Sequence, residues 1–281
     1  ILSRKSNVLR SRGKMAAKKN ITPEMLDAAI DAGELQPWFQ PKIRITDLEP
    51  VGVEVLARWP DSQYGPIFPN DFIPVAETHG LIDKLTFSLV GQAATMESRW
   101  RGEGVNLKIA VNISMDSLHQ NQFTEKLEQV VAAANSALEN IQLEITESQL
   151  MKDIVLPLEA LLRLRMKKVK LSIDDFGTGY SNLSQLRDLP FDELKLDRSY
   201  VQADNNGERT GVILESTVEM AKKLGMSIVA EGVENIEEWR RVESLGCDLV
   251  QGYFTARPMP GEDILGWIRS WPEQRKSLFS I

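Results

Sequence analysis

The sequence predicts an α/β fold, and a (β/α)8 TIM-like barrel is the architecture that its pattern matches best. Short β-rich runs alternate with amphipathic helical stretches along the 281 residues. Eight strand candidates fall within roughly 250 residues, which is the size of such a barrel. Most of the apolar strand runs also contain a charged or amide residue near their carboxyl end. An open, doubly wound sheet is the competing α/β layout.

A basic segment precedes the predicted barrel. Residues 1–20 hold seven basic residues and no acidic one, and they contain too few apolar residues to fold alone. Since the chain also starts with Ile1 rather than Met, we expect a linker or short helix that leads out of a missing upstream domain, with a solvated tail as the alternative. The barrel domain is predicted to cover residues 21–281.

The elements of the barrel follow in order. Thr22 is a candidate helix N-cap, Pro23 takes the first helical position, and Gly33 closes this first helix. The strand candidates are Pro37–Ile45, Pro50–Trp59, Leu107–Ser114, Ile141–Glu147, Val169–Asp175, Glu193–Asp197, Ser227–Glu231 and Asp248–Phe254. Helical patterns separate them, and two of these, Glu215–Leu224 and Ile236–Leu245, end immediately before a glycine. We allow for an antiparallel orientation of the first strand.

Composition excludes several classes of function. The chain has 33 Lys+Arg and 40 Asp+Glu, so its net charge is -7, and without the seven basic residues of 1–20 the rest carries 26 minus 40, or -14. This acidity argues against a DNA or RNA partner, since phosphate backbones need a basic surface. No run approaches the ~18 apolar residues of a membrane helix, so no membrane contact is expected. The single cysteine, Cys247, excludes an intramolecular disulfide framework and fits a cytoplasmic location.

Seven strand candidates carry a charged or amide residue within or at the end of an apolar run. These residues are Glu54, Asn112, Glu144, the pair Asp174 and Asp175, Lys195, Glu231 and Gln251. A buried charge is costly unless it is paired or bound to a metal. The carboxyl ends of barrel strands converge on one face, where active sites are built, so this pattern favours the barrel over an open sheet.

The charges of this set indicate a metal site. Five carboxylates against the single cation Lys195 leave a net charge near -4, which could not persist in a half-buried mouth without counter-charge. Two divalent cations would supply it, and oxygen ligands suit Mg²⁺ or Mn²⁺ better than zinc. Consecutive aspartates also suit two ions ~3.5–4 Å apart that share a carboxylate, an arrangement that supports in-line phosphoester hydrolysis.

Eight short motifs occur in order along the chain. They are QPKI (40–43), EVLARW (54–59), VNIS (111–114), LEITES (143–148), IDDFGTGYSNL (173–183), LKLDRSYV (194–201), IVAEGVE (228–234) and QGYFTARPMP (251–260). Together they resemble the EAL-domain phosphodiesterases of bacterial cyclic di-GMP signalling, over roughly Leu26 to Trp271. The tripeptide that names the family reads Glu54-Val55-Leu56 here, with Val in place of Ala.

The resemblance implies specific ligands for two ions. The first ion would be held by Glu54, Asn112, Glu144 and Asp174. The second would use Asp174 and Asp175, with Glu231 and Gln251 acting directly or through water. Lys195 would orient the attacking water or help to deprotonate it, and Glu231 is the rival general base. Both assignments stay open at this point.

The resemblance also implies substrate and loop residues. Arg58 would pair with a substrate phosphate, a task suited to its planar fork, and Gln40 and Leu56 would line the substrate groove. The loop FGTGYSNL (176–183) would support the metals. The residues expected to shape or hold this loop are Gly177, Gly179, Glu147 and Glu234.

The function that the resemblance implies is a metal-dependent phosphodiesterase that converts cyclic di-GMP to linear 5'-pGpG. It would use two Mg²⁺ or Mn²⁺ ions, and Ca²⁺ would inhibit it because its larger radius and looser geometry would misplace the water. The family further implies a homodimer and an upstream sensory or receiver domain. The alternatives are a cyclic di-GMP receptor with negligible turnover and a hydrolase of another phosphodiester.

Overall fold

The computed structural model describes residues 21–60, 65–118, 120, 122–150, 157–177, 189–202 and 208–279. The expected basic arm, residues 1–20, lies outside these ranges. Most of the FGTGYSNL loop, from residue 178 onward and including Gly179, also lies outside them.

Within the described residues, eight strands close into a barrel. They are β1 (Gln36–Arg44), β2 (Pro50–Arg58), β3 (Lys108–Asn112), β4 (Ile141–Thr146), β5 (Lys170–Phe176), β6 (Glu193–Leu196), β7 (Ser227–Glu231) and β8 (Leu249–Gln251). From β2 to β8 each strand pairs in parallel with the next, and β1 closes the ring by pairing antiparallel with both β2 and β8. The predicted barrel and its antiparallel first strand are confirmed. A short strand, β9 (Met259–Pro260), pairs with β1 and is an addition to the prediction.

Helices connect the strands and pack around the barrel. Those described are α1 (Pro23–Asp31), α2 (Pro69–Thr78), α3 (Ile82–Gly102), α4 (Met115–Leu118), α5 (Phe123–Ala133), α6 (Glu147–Leu150), α7 (Pro157–Met166), α8 (Arg198–Val201), α9 (Glu208–Lys223), α10 (Ile236–Leu245) and α11 (Gly261–Phe279). Helix α9 begins at Glu208, before the predicted start at Glu215. The prediction started too late because Gly211, which has a low helix propensity, lies within the first turns of this helix. No helix among those described is both long and apolar enough to cross a membrane.

The ends of the predicted helices have the expected chemistry. The Thr22 hydroxyl accepts a hydrogen bond from the Met25 N–H at 3.3 Å, and Pro23 occupies the first position of α1. Helix α10 ends at Gly246, whose φ of +81° places it in the left-handed region that glycine adopts without strain. These local signals are strong enough in the sequence to be read before the fold is known.

The apolar core has two parts. The larger one lies between the barrel wall and its surrounding helices, and includes an edge-to-face contact between Phe39 and Trp100. The smaller one joins α1, α2 and α3 around Leu26, Phe72 and Leu85, beside the start of β1. Cys247 belongs to the larger core, where burial, together with the neighbouring Asp248, raises the pKa of its thiol to about 12.

Candidate metal centre

The carboxyl ends of the parallel strands bring the predicted polar residues together at the mouth of the barrel. In strand order from β2 to β8 the inward-facing residues are Glu54, Asn112, Glu144, Asp174, Lys195, Glu231 and Gln251. Each of these residues is at most 3% exposed. Because they come from seven consecutive strands, their separation in sequence becomes a single ring in space.

Lys195 lies at the centre of this ring. Its Nζ is 2.6 Å from Glu144 Oε2, 2.8 Å from Glu231 Oε1, 3.0 Å from Asp174 Oδ1 and 3.5 Å from Glu54 Oε2. Burial alone would lower the pKa of Lys195, but the four carboxylates outweigh burial and hold the pKa well above its usual range. Lys195 therefore carries a proton in this arrangement and serves as counter-charge to the ring.

Two groups of carboxylates are close enough to hold cations. Glu54, Glu144 and Asp174 offer oxygen atoms that lie within 4.8 Å of one another, and so do Asp174, Asp175 and Glu231. Asp174 belongs to both groups. The geometry therefore matches the shared-carboxylate arrangement that the sequence predicts for a pair of ions.

Two buried amide oxygens provide an independent test of whether a cation fits. The Nδ2 of Asn112 donates to Glu54 Oε1 at 3.1 Å, and the Nε2 of Gln251 donates to Glu54 Oε2 at 2.5 Å. The Oδ1 of Asn112 and the Oε1 of Gln251 are buried and receive no hydrogen bond from any residue in the described ranges. Buried acceptors ordinarily have a partner, and amide oxygens beside carboxylates form a donor set that suits Mg²⁺ or Mn²⁺. The residues fit the predicted ions.

The adjacent aspartates share one face because β5 is irregular. Side chains of consecutive residues in a regular strand point to opposite faces, so Asp174 and Asp175 could not both reach one site. The pairing of β5 with β6 shifts register between Ile173 and Phe176, and Asp175 has a φ of +53°, in the left-handed region. This bulge turns the half-buried Asp175 toward Asp174 and Glu231.

A second polar layer lies deeper in the barrel, two residues before the mouth positions on several strands. It contains Lys42, Gln142, Ser172 and Glu193, all buried. Glu193 Oε1 accepts from Lys42 at 2.9 Å, from Gln142 at 2.6 Å and from Ser172 at 3.1 Å. Burial alone would lower the pKa of Lys42, but Glu144 and Glu193 outweigh it and raise the pKa above its usual value.

Sequence reasoning missed this layer. Lys42 lies two residues after Gln40 in the QPKI motif, and Glu193 lies two residues before Lys195. That spacing of two was a usable signal, because residues two apart on a strand face the same side. The carboxyl ends of the apolar runs do not reveal the layer, because Gln142, Ser172 and Glu193 lie two residues before the mouth positions.

Gly177, two residues after Asp175, is held by two hydrogen bonds. The Gly177 N–H donates to Glu147 Oε2 at 2.8 Å, and its carbonyl accepts from the Tyr200 hydroxyl at 2.5 Å. Its φ is +98°, and a Cβ there would come within 2.5 Å of the Tyr200 ring, so only glycine fits. Glu147 thus lies where a loop tether would, and Glu234 is exposed in the turn after β7. Their support of the loop stays a prediction.

The three predicted substrate residues differ in their surroundings. Gln40 is buried, its Nε2 donates to the Ala256 carbonyl at 3.1 Å, and its Oε1 accepts from Gln251 at 3.1 Å. Leu56 and Arg58 are half-buried near the carboxyl end of β2. The Arg58 guanidinium carbon lies 5.9 Å from the centre of the Trp38 ring. Burial lowers the pKa of Arg58 below its ordinary value, against the opposing effect of Tyr253 and Glu54.

Comparison with known proteins relates this arrangement to one family. The family model described as EAL domain matches residues 24–258. RocR of Pseudomonas aeruginosa, which is named a cyclic di-GMP phosphodiesterase, is 36% identical over 238 residues, covering 85% of this chain and 61% of RocR. DosP of Escherichia coli, named an oxygen sensor protein, is 34% identical over 257 residues, covering 91% of this chain and 32% of DosP.

Solved structures agree with this relationship. A structure described as the PaMucR phosphodiesterase in complex with c-di-GMP superposes with a TM-score of 0.81 at 33% identity, covering 86% of this chain and 98% of that one. The EAL enzyme Bd1971, in a form with cAMP and cyclic di-GMP bound, gives a TM-score of 0.81 at 28% identity, covering 88% of this chain and 68% of that one. The chain spans less than two thirds of the length of RocR and of DosP.

Proposed function

The chain belongs to the EAL domain family, and we propose that it is a metal-dependent phosphodiesterase that hydrolyses cyclic di-GMP to linear 5'-pGpG. The observation that carries the proposal is the intact oxygen-donor ring at the barrel mouth. The ring contains two sets of three carboxylates, and both sets include Asp174. The amide oxygens of Asn112 and Gln251 lack a hydrogen-bond donor among the described residues. A chain that only bound the dinucleotide would have no need of this complete set.

The ring residues divide between two ions. The donors assigned to the first ion are Glu54, Asn112, Glu144 and Asp174, and those assigned to the second are Asp174 and Asp175, with Glu231 and Gln251 direct or through water. When bound, two Mg²⁺ or Mn²⁺ ions supply positive charge for the phosphate oxygens and acidify water. Ca²⁺ is expected to occupy the site without supporting turnover, because it takes more ligands at longer distances.

We assign the proton acceptor in the reaction to Glu231 and the orienting role to Lys195. The two side chains are 2.8 Å apart, and an ammonium group with the ordinary lysine pKa of about 10 holds its proton at neutral pH. A group that already holds its proton cannot accept one from water, whereas it can donate a hydrogen bond and hold a water or a phosphate oxygen in place. This assignment favours Glu231 over Lys195 as the general base.

The substrate is proposed to lie across the rim of the barrel. Arg58 would pair with a phosphate, and Leu56 would contact the dinucleotide beside it, since both are partly accessible on β2. Gln40 would act from the wall, where it already holds Gln251 and the carbonyl of Ala256.

The wider context is also a proposal. Relatives such as DosP are much longer than the aligned region, which supports a sensory or receiver domain upstream of this barrel in the full protein. We also propose a homodimer, which size-exclusion chromatography with light scattering would test; a monomeric mass across the micromolar range would exclude it. A cytoplasmic location stays a prediction from the single cysteine.

The decisive experiment is a turnover assay with the purified chain. Cyclic di-GMP is incubated with Mg²⁺, with Mn²⁺, with Ca²⁺ or with a chelator, and the products are separated by chromatography. We expect 5'-pGpG with Mg²⁺ or Mn²⁺ and little product in the other two conditions. Binding without any pGpG in either active metal would contradict the enzyme and support the receptor alternative. Preferential cleavage of linear dinucleotides would indicate a different phosphodiester substrate.

A further inference from the structure

Lys42 connects the deeper polar layer of the barrel to the metal-facing ring. It lies on the antiparallel strand β1, two residues beyond Gln40 and deeper in the barrel, and it is 2% exposed. Its Nζ donates to Glu144 Oε1 at 2.8 Å and to Glu193 Oε1 at 2.9 Å. One ammonium group thus bonds a carboxylate of each layer.

The two oxygens of Glu144 consequently have different surroundings. Oε1 is bonded to Lys42 on the inner side of the barrel. Oε2 faces the ring, where it accepts from Lys195 at 2.6 Å and lies 3.4 Å from the Nδ2 of Asn112. The direction of the carboxylate is therefore set from below, by a contact that lies outside the predicted metal ligands.

Lys42 is itself held in place. Glu193, its second partner, also accepts from Gln142 and Ser172, so the deeper carboxylate is fixed by three donors from three different strands. A buried lysine between two carboxylates with this much hydrogen bonding has little freedom to move. Glu144 Oε1 cannot turn toward the mouth without leaving Lys42 with an unmet donor in the interior.

We propose that Lys42 is a positioning residue that restricts Glu144 to a single metal-facing oxygen and thereby makes the centre favour Mg²⁺ and Mn²⁺ over Ca²⁺. This inference rests on the proposed metal centre. Mg²⁺ requires near-ideal octahedral geometry and takes few carboxylate oxygens, whereas Ca²⁺ takes 6–8 oxygen ligands and readily uses both oxygens of one carboxylate. Holding one oxygen of Glu144 away from the ions removes a ligand that Ca²⁺ would use.

The test compares metal affinities in wild type and Lys42→Met. Isothermal titration calorimetry with Mg²⁺, Mn²⁺ and Ca²⁺ alone gives a dissociation constant for each ion without any turnover. In Lys42→Met we expect the affinity for Ca²⁺ to rise by about tenfold relative to that for Mg²⁺, since Glu144 is free to bind with both oxygens. The ratio is the informative quantity, because loss of one positive charge strengthens the attraction of all divalent ions alike.

Two further variants sharpen the test. Ser172→Ala removes a hydrogen-bond donor to Glu193 and leaves the hydrogen bonds of Glu144 in place. The ratio of its Ca²⁺ affinity to its Mg²⁺ affinity should therefore equal that of wild type. Lys42→Met/Glu193→Gln removes both charges of the deep pair and replaces the single variant if Lys42→Met fails to fold. We expect it to show the rise in relative Ca²⁺ affinity that is predicted for Lys42→Met. Circular dichroism and thermal melts establish folding before each titration.

The outcomes separate this inference from the proposed function. If wild type binds none of the three cations, the metal centre itself is wrong. If wild type binds Mg²⁺ or Mn²⁺ and a folded Lys42 variant has an unchanged ratio, the centre stands and the role of Lys42 is overturned. An equal shift in Ser172→Ala would also overturn it, because the effect would then belong to the deep layer as a whole.

Discussion

Glu231 and Lys195 lie on neighbouring strands and share a contact of 2.8 Å between a carboxylate and an ammonium group. Both residue types serve as bases in enzymes, so their identity alone does not separate their roles. The separation comes from their surroundings, because the carboxylates around Lys195 keep its pKa high. At the scale of single residues, we therefore propose Lys195 as a hydrogen-bond donor and Glu231 as the proton acceptor.

We predict that Glu231→Gln lowers kcat by about 10² to 10⁴, the range that a general base contributes, with little change in KM. The substitution keeps the size of the side chain and an oxygen that can contact Lys195. Steady-state kinetics at saturating Mn²⁺ measure both constants, and Glu237→Gln, an exposed glutamate on α10, is the matched control. A kcat close to that of wild type would return the general-base role to Lys195.

At the scale of secondary-structure elements, the irregularity in β5 determines how many carboxylates one strand presents to the mouth of the barrel. A regular strand would present Asp174 to the mouth and point Asp175 away from it. The bulge with Asp175 at a φ of +53° makes one strand deliver two carboxylates. Asp and Asn tolerate this left-handed conformation better than most residues. Replacing Asp175 with Asn therefore removes the charge without adding backbone strain.

We predict that Asp175→Asn lowers turnover and weakens the affinity for one of the two ions by about tenfold or more, while the thermal midpoint stays near that of wild type. Asp175→Val should lose the same ligand and also about 1–2 kcal/mol of stability, since a β-branched residue is strained at positive φ. Calorimetric metal titration and thermal melts measure the two effects. Equal loss of stability in both variants would mean that the stability depends on the charge of Asp175 and not on its backbone conformation.

Asp192 ties the amino ends of β5 and β6 to the end of α7. Burial alone would raise the pKa of Asp192, but hydrogen bonds from Arg165, Lys170 and the Leu171 N–H outweigh burial and hold the pKa below its usual range. The Lys170 contact is 2.8 Å and the Leu171 contact 3.0 Å. A carboxylate with a lowered pKa in the folded state stabilises the fold above its unfolded pKa, and this stabilisation is lost as the pH falls through the folded value.

We therefore predict that Asp192→Asn reduces the free energy of unfolding by about 1–2 kcal/mol at pH 7, and that the difference from wild type is smaller at pH ~2, well below the ordinary Asp pKa of about 3.9. Urea unfolding of both proteins at the two pH values measures this. Asp31→Asn, at an aspartate that is 66% exposed, serves as control and should change stability by less than about 0.5 kcal/mol at either pH. A pH-independent loss in Asp192→Asn would assign the effect to packing.

At the scale of the whole molecule, part of the -14 charge of residues 21–281 is concentrated in one ring at the barrel mouth. A ring of buried carboxylates opposes folding unless cations neutralise it, so ion binding and stability are linked. The same ions would reverse the sign of the site toward a phosphate. An acidic chain that is unsuited to coating a nucleic acid would in this way suit the small cyclic dinucleotide that we propose as its substrate.

We predict that saturating Mg²⁺ or Mn²⁺ raises the thermal midpoint of wild type by about 5 °C or more, since an ion at about 100 times its dissociation constant adds ~2.7 kcal/mol. Glu54→Ala removes a ligand of the first ion, so this rise should shrink and the turnover of cyclic di-GMP should be lost. Differential scanning fluorimetry with and without the metal, and the pGpG assay, give the two readouts. Glu237→Ala is the control, and wild-type behaviour of Glu54→Ala would mean that the ring is not the metal site.

The barrel, its eight strands and the polar residues that meet at its mouth were all predictable from the pattern of residues along the chain. They were predictable because alternation along a strand assigns each residue to a face, and because a barrel gathers the carboxyl ends of its strands in one place. Glu54, Glu144 and Glu231 were therefore predictable as neighbours although they are far apart in the chain. The order and spacing of the eight short motifs identified the resemblance to the EAL-domain family.

Contacts between strands could not be predicted in this way, and they are known only from the folded structure. The bond from Lys42 to Glu144, the three donors that meet at Glu193 and the inward turn of Asp175 follow from strand register and from a bulge, which no single segment encodes. The pKa of Lys195 likewise depends on carboxylates from four other strands. Sequence pattern assigns a side chain to a face, whereas its depth, partners and charge state are set by the packing of the closed barrel.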